Sequence, residues 1–92
     1  MRLEVVSPEA TLFSGEVNSV AIPGASGGFQ VLDNHAPIVS ILHPGTVKIG
    51  GKISLPDETA HHFNQHGDDT FLELPNGGTL EMRQNKVVLL AD

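Results

Sequence analysis

The chain has 92 residues, a formal net charge of −6 at neutral pH, and neither cysteine, tryptophan nor tyrosine. That length allows one domain and one core. The missing cysteine excludes a disulfide framework, a cysteine-based zinc site and a thiol nucleophile, and the five basic residues, Arg2, Lys48, Lys52, Arg83 and Lys86, are too scattered for a nucleic-acid binder.

Taken in chain order, Arg2 to Ser7 alternates as a first strand with Leu3 and Val5 on one face, and Pro8 ends it. Ala10 to Phe13 forms a short second strand stopped by Ser14-Gly15. Glu16 to Ile22 forms the third, in which Val20 and Ile22 share a face. Val17 falls on the opposite parity, which predicts a bulge or burial on two sides. The stretch from Pro23 to Pro37 follows, with Gly24, Gly27 and Gly28 crowded near its start. Glycine admits backbone conformations that other residues avoid, so this is a shaped, exposed loop. It feeds a short strand, Phe29 to Leu32, and a second turn at Asp33-Asn34-His35-Ala36-Pro37.

Ile38 to Leu42 is apolar at all but Ser40, which predicts a strand buried on both faces. His43-Pro44-Gly45 turns the chain into Thr46 to Ile49, with Val47 and Ile49 inward. Ile53 and Leu55 form a candidate short strand, and Glu58 to Gln65 a candidate helix with a thin apolar stripe. The last three strands are clear: Thr70 to Leu74, Thr79 to Arg83 and Lys86 to Leu90. Asn76-Gly77 and the two-residue link Gln84-Asn85 both read as hairpin turns. Leu80 and Met82 face the same way, as do Val87 and Leu89. About eight to ten short strands without a long helix make an all-β sandwich or barrel. No run approaches the roughly 20 apolar residues needed to span a bilayer, Val87 to Ala91 being the longest. The first residues also lack the apolar core of a signal peptide.

Enzyme chemistry finds little support. The serines have no nucleophile elbow around them, and there is no Walker loop, dinucleotide fingerprint or calcium loop. The acidic pairs Asp57-Glu58 and Asp68-Asp69 fall in turns. His61, His62 and His66 are the one candidate metal set, because His62 and His66 would stand one turn apart on a helix, with Asp68 or Asp69 adding an oxygen. A solvated polar loop is the alternative. His35 either fixes its own turn through a backbone carbonyl or lies on an edge that faces a partner.

Six segments then occur in one order: L-E-V-V-S-P-E, L-F-S-G-E-V, V-A-I-P-G, G-G-F-Q-V-L-D-N-H-A-P-I, L-H-P-G-T-V-K-I and L-E-M-R-Q-N-K-V-V-L-L-A-D. Together they resemble the N-terminal domain of F-type ATP synthase epsilon subunits. The resemblance covers all but about residues 50–69, and residues 51–64 read as an insertion within the single domain 1–92. It implies a flattened β-sandwich of about ten strands and a non-catalytic place in the central stalk. The partners it implies are the gamma subunit and the ring of c subunits, coupling proton flow to ATP synthesis. Membrane association would be indirect, through the c ring, peripheral to a bacterial inner membrane on its cytoplasmic side. It assigns the loop Gly24, Ala25, Ser26, Gly27, Gly28 and Phe29 to the c ring, with Gly28 standing where relatives often carry an acid. It assigns strand edges near Ser7, His35 and Ser40 to gamma.

No cofactor is expected. Family members continue into a C-terminal helical hairpin with an inhibitory role and, in some, an ATP site. With the sequence ending at Asp92, neither inhibition by a hairpin nor ATP binding is expected. Two readings stand against this one: a stand-alone binding sandwich, disfavoured for carbohydrate by the missing Trp and Tyr, and a metal-dependent β-fold enzyme using His61, His62 and His66.

Overall fold

An apolar side chain at every second residue can be hidden on one side only if the segment is extended, and each alternating stretch duly becomes a strand. The computed structural model describes residues 1–23 and 27–92. The strands are β1 (Arg2–Val6), β2 (Thr11–Glu16), β3 (Ser19–Ile22), β4 (Phe29–Leu32), β5 (Ile38–Leu42), β6 (Gly45–Gly50), β7 (Phe63–His66), β8 (Asp69–Leu74), β9 (Gly78–Arg83) and β10 (Lys86–Ala91). They make two sheets of five, ordered β2-β1-β10-β9-β5 and β4-β3-β6-β8-β7. Only β1 and β10 pair in parallel, which sets the first strand beside the last.

The two sheets face each other across one core, as expected for a β-sandwich. Leu3, Val5, Val20, Val31, Val47, Ile49, Leu80, Val87 and Leu89 are all fully shielded from solvent there. Every pair that the sequence assigned to one face, from Leu3 and Val5 to Val87 and Leu89, lies in this core. Val17 is also buried, in the connection between β2 and β3, with its N–H donating to the Met1 carbonyl at 2.9 Å. The bulge is elsewhere, where β1 slips against β2 between Val5 and Val6.

Four readings of the sequence change. β2 runs on through Ser14-Gly15 to Glu16, because its edge pairing with β1 continues to Arg2 opposite Glu16. The Asn76-Gly77 turn does not close a hairpin: β8 and β9 belong to different sheets, so the turn is a corner between layers. The candidate helix over Glu58 to Gln65 is a single 3₁₀ turn, Ala60–His62, followed by β7, whose Phe63 is drawn into the core. Ile53 and Leu55 are half-buried against that core without joining a sheet.

That segment closes a flank of the sandwich. The Thr59 hydroxyl donates to the Leu12 carbonyl of β2 at 2.7 Å, while the Gln65 amide donates to the Ile53 carbonyl and to buried Thr70, each at 3.1 Å. Residues 52–62 thus strap the outermost strand of one sheet, β2, to that of the other, β7.

The corner at Gly77 leaves no room for a side chain. Its φ is +67°, and a Cβ there would lie 2.2 Å from the Leu42 carbonyl oxygen. Gly67 has a similar φ of +63° but open space around it. Gly77→Ala is therefore expected to cost about 3 kcal/mol or more, combining left-handed strain with overpacking, against about 1 kcal/mol for Gly67→Ala. Urea unfolding of both variants beside the parent checks this; equal losses would mean that the corner can relax.

Candidate functional site

The glycine-rich loop joins β3 to β4 at one end of the sandwich. Gly24, Ala25 and Ser26 lie outside the described residues. Gly27 is exposed, with φ +118° and nothing within 4 Å of an added Cβ; Gly28 is exposed too. Phe29 opens β4 half-buried, its ring packed on the core. The root of the loop is held by its neighbour corner: the His43 N–H donates to the Pro23 carbonyl at 2.8 Å, and a Cβ on Gly45 would meet the Pro23 ring at 3.0 Å. Gly77 and Asp92 belong to the same end, since the Asp92 N–H donates to the Gly77 carbonyl at 3.1 Å.

Ser7, His35 and Ser40 do not form one cluster. Ser7 follows β1 at the loop end and is engaged locally, its hydroxyl and N–H bonding Ala10 across the turn. His35 stands at the opposite end, exposed, with Nδ1 2.7 Å from the Ala36 carbonyl oxygen. There the Asn34 N–H donates to the Asn85 side chain at 2.8 Å, and Asn34, Gln84 and Asn85 all have positive φ. Ser40 sits mid-strand in β5, opposite buried Leu80, so its side chain shares the inward parity.

What the sequence reading missed is the other parity of β5. Instead of being buried on both faces, the strand leaves Val39 78% and Ile41 68% exposed. The reason is positional: β5 is an outermost strand of its sheet, and no element of the described residues covers that sheet's outer face. The outer face is laid out in rows by the register. Ile41 lies opposite Thr79, Thr79 opposite Leu90, and Leu90 beside Val6; Val39, Glu81, Val88 and Glu4 make the next row. Leu90 is itself 46% exposed. Ser7 and His35 mark opposite ends of this face. The signal was available: a strand apolar at four of five positions directly after a proline is one that a partner can cover.

The turn before β5 is anchored electrostatically. The Met1 ammonium, with its side chain fully buried, donates to the Asp33 carboxylate at 2.5 Å and to the Val17 carbonyl at 3.3 Å, and lies 3.6 Å from Glu16. The bond to Asp33 raises the pKa of the amine above its ordinary value, against the opposing pull of burial. On the outer face, the Lys86 ammonium 2.9 Å from Glu4 holds that carboxyl below its ordinary range.

The histidines do not converge. His61 and His62 stack with ring centroids 4.1 Å apart, while His66 turns its edge to Phe71 on the outer side of β8. No group of three potential ligands forms among the described residues. His62 instead reaches a hollow of about 610 Å³ whose floor includes Leu12, Leu72 and Leu74. Its acidic residues, such as Glu9 and Glu58, are exposed and solvated, not aimed at a reacting centre.

The chain was compared with known proteins on this basis. The family model for the ATP synthase delta/epsilon chain β-sandwich domain matches residues 1–92. Chains named ATP synthase epsilon chain from Chlorobaculum tepidum, Desulforamulus reducens and Herminiimonas arsenicoxydans are 40%, 34% and 39% identical over 98%, 99% and 100% of this chain. The chain spans 86% of the first relative and only 58% and 56% of the other two. Among solved structures, a chain of the Tetrahymena thermophila mitochondrial ATP synthase central stalk and c ring shares the fold, with a TM-score of 0.71 over 98% of this chain at 12% identity.

Two outcomes follow. Because folding raises the amine's pKa, the Met1–Asp33 pair stabilises fully below the unfolded value of 8.0 and is lost as the pH climbs through the higher folded value. The melting temperature should fall from pH 8 upward, and Asp33→Asn should flatten that fall; an unchanged slope would remove the pair from the stability balance. Asp33 is largely exposed, so the effect is small. Equimolar zinc should leave the melting temperature of the untagged protein where it was, whereas a rise of several degrees would show that the histidines gather around metal.

Proposed function

The chain belongs to the family of ATP synthase delta/epsilon chain β-sandwich domains, and from that premise we propose that it works as a rotor element of the central stalk of a proton-translocating F-type ATP synthase. In this reading it binds the gamma subunit on one side and rests on the c ring on the other. It carries load between proton flow and ATP synthesis and performs no bond chemistry itself. Its place is peripheral to the membrane, on the cytoplasmic side of a bacterial inner membrane, held there through the c ring. No helix among the described residues is long and apolar enough to cross a bilayer.

The exposed pair Val39 and Ile41 on β5 carries the gamma assignment. Large aliphatic side chains this exposed on one strand gain roughly 1.5–3 kcal/mol each when a partner covers them fully, and on the chain they flank Ser40. Of the three residues of the sequence reading, Ser7 and His35 then stand at the two ends of the contact, while Ser40 lies on the inward parity of β5. For the c ring, the support is the loop Gly24 to Phe29. Small residues let two backbones approach closely, and Pro23 at the root of the loop accepts a hydrogen bond from the His43 N–H. Where relatives place an acid, Gly28 leaves the backbone and Phe29 to make contact.

The test is binding to the matching gamma subunit, co-expressed and followed by size-exclusion chromatography. A one-to-one complex is expected, and Ile41→Asp should weaken it by about a hundredfold through loss of an apolar anchor and burial of a charge. The exposed position makes the fold tolerant of this change. Full-strength binding by Ile41→Asp would place gamma elsewhere. For the loop, Gly27→Glu should leave both the fold and gamma binding intact while lowering ATP-driven proton pumping in reconstituted membranes; unaltered pumping would remove the loop from the c-ring contact.

A further inference from the structure

An ammonium group carries three protons and accepts none, so it fits where three oxygens converge. The Met1 amine stands in such a place. It donates to the Asp33 carboxylate at 2.5 Å and to the Val17 carbonyl at 3.3 Å, and Glu16 Oε1 lies 3.6 Å away. The rest of Met1 is committed as well. Its carbonyl accepts the Val17 N–H at 2.9 Å, so Met1 and Val17 exchange two backbone bonds as facing residues of an antiparallel pair do. Met1 is only 5% exposed and packs in the core. The next amide, that of Arg2, is already engaged with the Asn85 carbonyl at 3.1 Å.

An acyl group on the Met1 nitrogen upsets this match. A formylated or acetylated amine is a neutral amide with one N–H, so two of the three oxygens lose their partner. The acyl carbonyl is itself an acceptor, and it is set against two carboxylates and a backbone carbonyl, all of which repel it. Loss of Met1 fails for a different reason. It empties a filled place in the core and carries the amine to Arg2, whose nitrogen is held at Asn85.

We infer that the Met1 nitrogen is a modification-sensitive site: the junction of β1, the β2–β3 connection and the β4–β5 turn closes only on a retained methionine with a free amine, and N-terminal acylation holds it open. A chain that carries a formyl group there needs a hydrolase of N-formyl peptides first. Water attacks the formyl carbon, the carbon–nitrogen bond breaks, formate leaves and the amine takes up a proton. Once the junction has closed the amine is buried against Val17, so the processing precedes folding. The effect reaches past the junction, because Asp33 belongs to the turn that leads into β5. Without its bond to Met1 that turn is left to the Asn34 N–H on the Asn85 side chain and the His35 N–H on the Leu32 carbonyl. None of this depends on which partner covers β5.

The experiment compares the melting of the untagged chain made with and without an inhibitor of N-formyl hydrolysis, and of a variant with one extra glycine before Met1. Each is prepared with Asp33 and with Asp33→Asn, and intact mass confirms the state of the amine. The formylated and extended proteins are expected to melt about 4 °C or more below the unblocked one, a larger loss than Asp33→Asn causes by itself. Asp33→Asn should lower the melting temperature only where the amine is free, because the pair no longer exists in the blocked proteins. Treating unfolded formylated chain with an N-formyl-peptide hydrolase before refolding should restore the parent's melting. A formylated protein that melts with the unblocked one overturns the inference. So does an equal loss from Asp33→Asn in blocked and unblocked protein, or a deformylated chain that still melts low, since either would separate the acyl group's effect from this junction.

Discussion

Three strands meet without intervening side chains at Gly77 and Gly78, and the architecture hangs on that contact. A Cβ on Gly77 would lie 2.2 Å from the Leu42 carbonyl oxygen, and one on Gly78 would lie 2.0 Å from that of Leu90. Only there can the chain leave β8 in one sheet and enter β9 in the other while β5 and β10 close in on both sides of β9. Were the corner wider, Leu42 and Leu74 could not both be buried at the end of the core. The same end carries the Pro23 root of the glycine loop and the Ser7 turn.

The opposite end is organised by charge instead. The Met1 ammonium binds Asp33, and the Asn85 side chain accepts from the Asn34 N–H. Two tight turns are thereby tied together across the sheets, and the β5 strand leaves this junction with its direction set. One end of the sandwich is thus fixed by close packing and the other by ionic and hydrogen bonds. In the proposed rotor role, a rigid body between two partners needs both, because a load applied at either end would otherwise be absorbed by a bending turn.

Most of the sandwich was legible because an alternating pattern leaves little choice: Leu3 with Val5, or Leu80 with Met82, can be hidden only in a strand facing inward. Partner strands were harder. Asn76-Gly77 has the composition of a hairpin turn, and the local sequence does not say whether the next strand returns in the same sheet or crosses to the other. Ile38 to Leu42 failed for a related reason. An apolar strand signals burial, yet it does not say whether the cover is part of the chain or a different molecule. Residues 52–62 were illegible because they are held by isolated bonds, such as Thr59 to Leu12, that follow no period. The candidate site residues divide the same way. The glycine loop was visible by composition, whereas the outer-face row of Arg2, Lys86 and Arg83 exists only once β1, β10 and β9 are placed side by side.

The distribution of charge bears on how the exposed apolar face could meet a second copy of the chain. Val39, Ile41 and Leu90 alone would favour association of one copy with another. Two copies meeting through their outer faces would bring together surfaces of zero formal charge, in which the Arg2–Lys86–Arg83 row is matched by Glu4, Glu16 and Glu81.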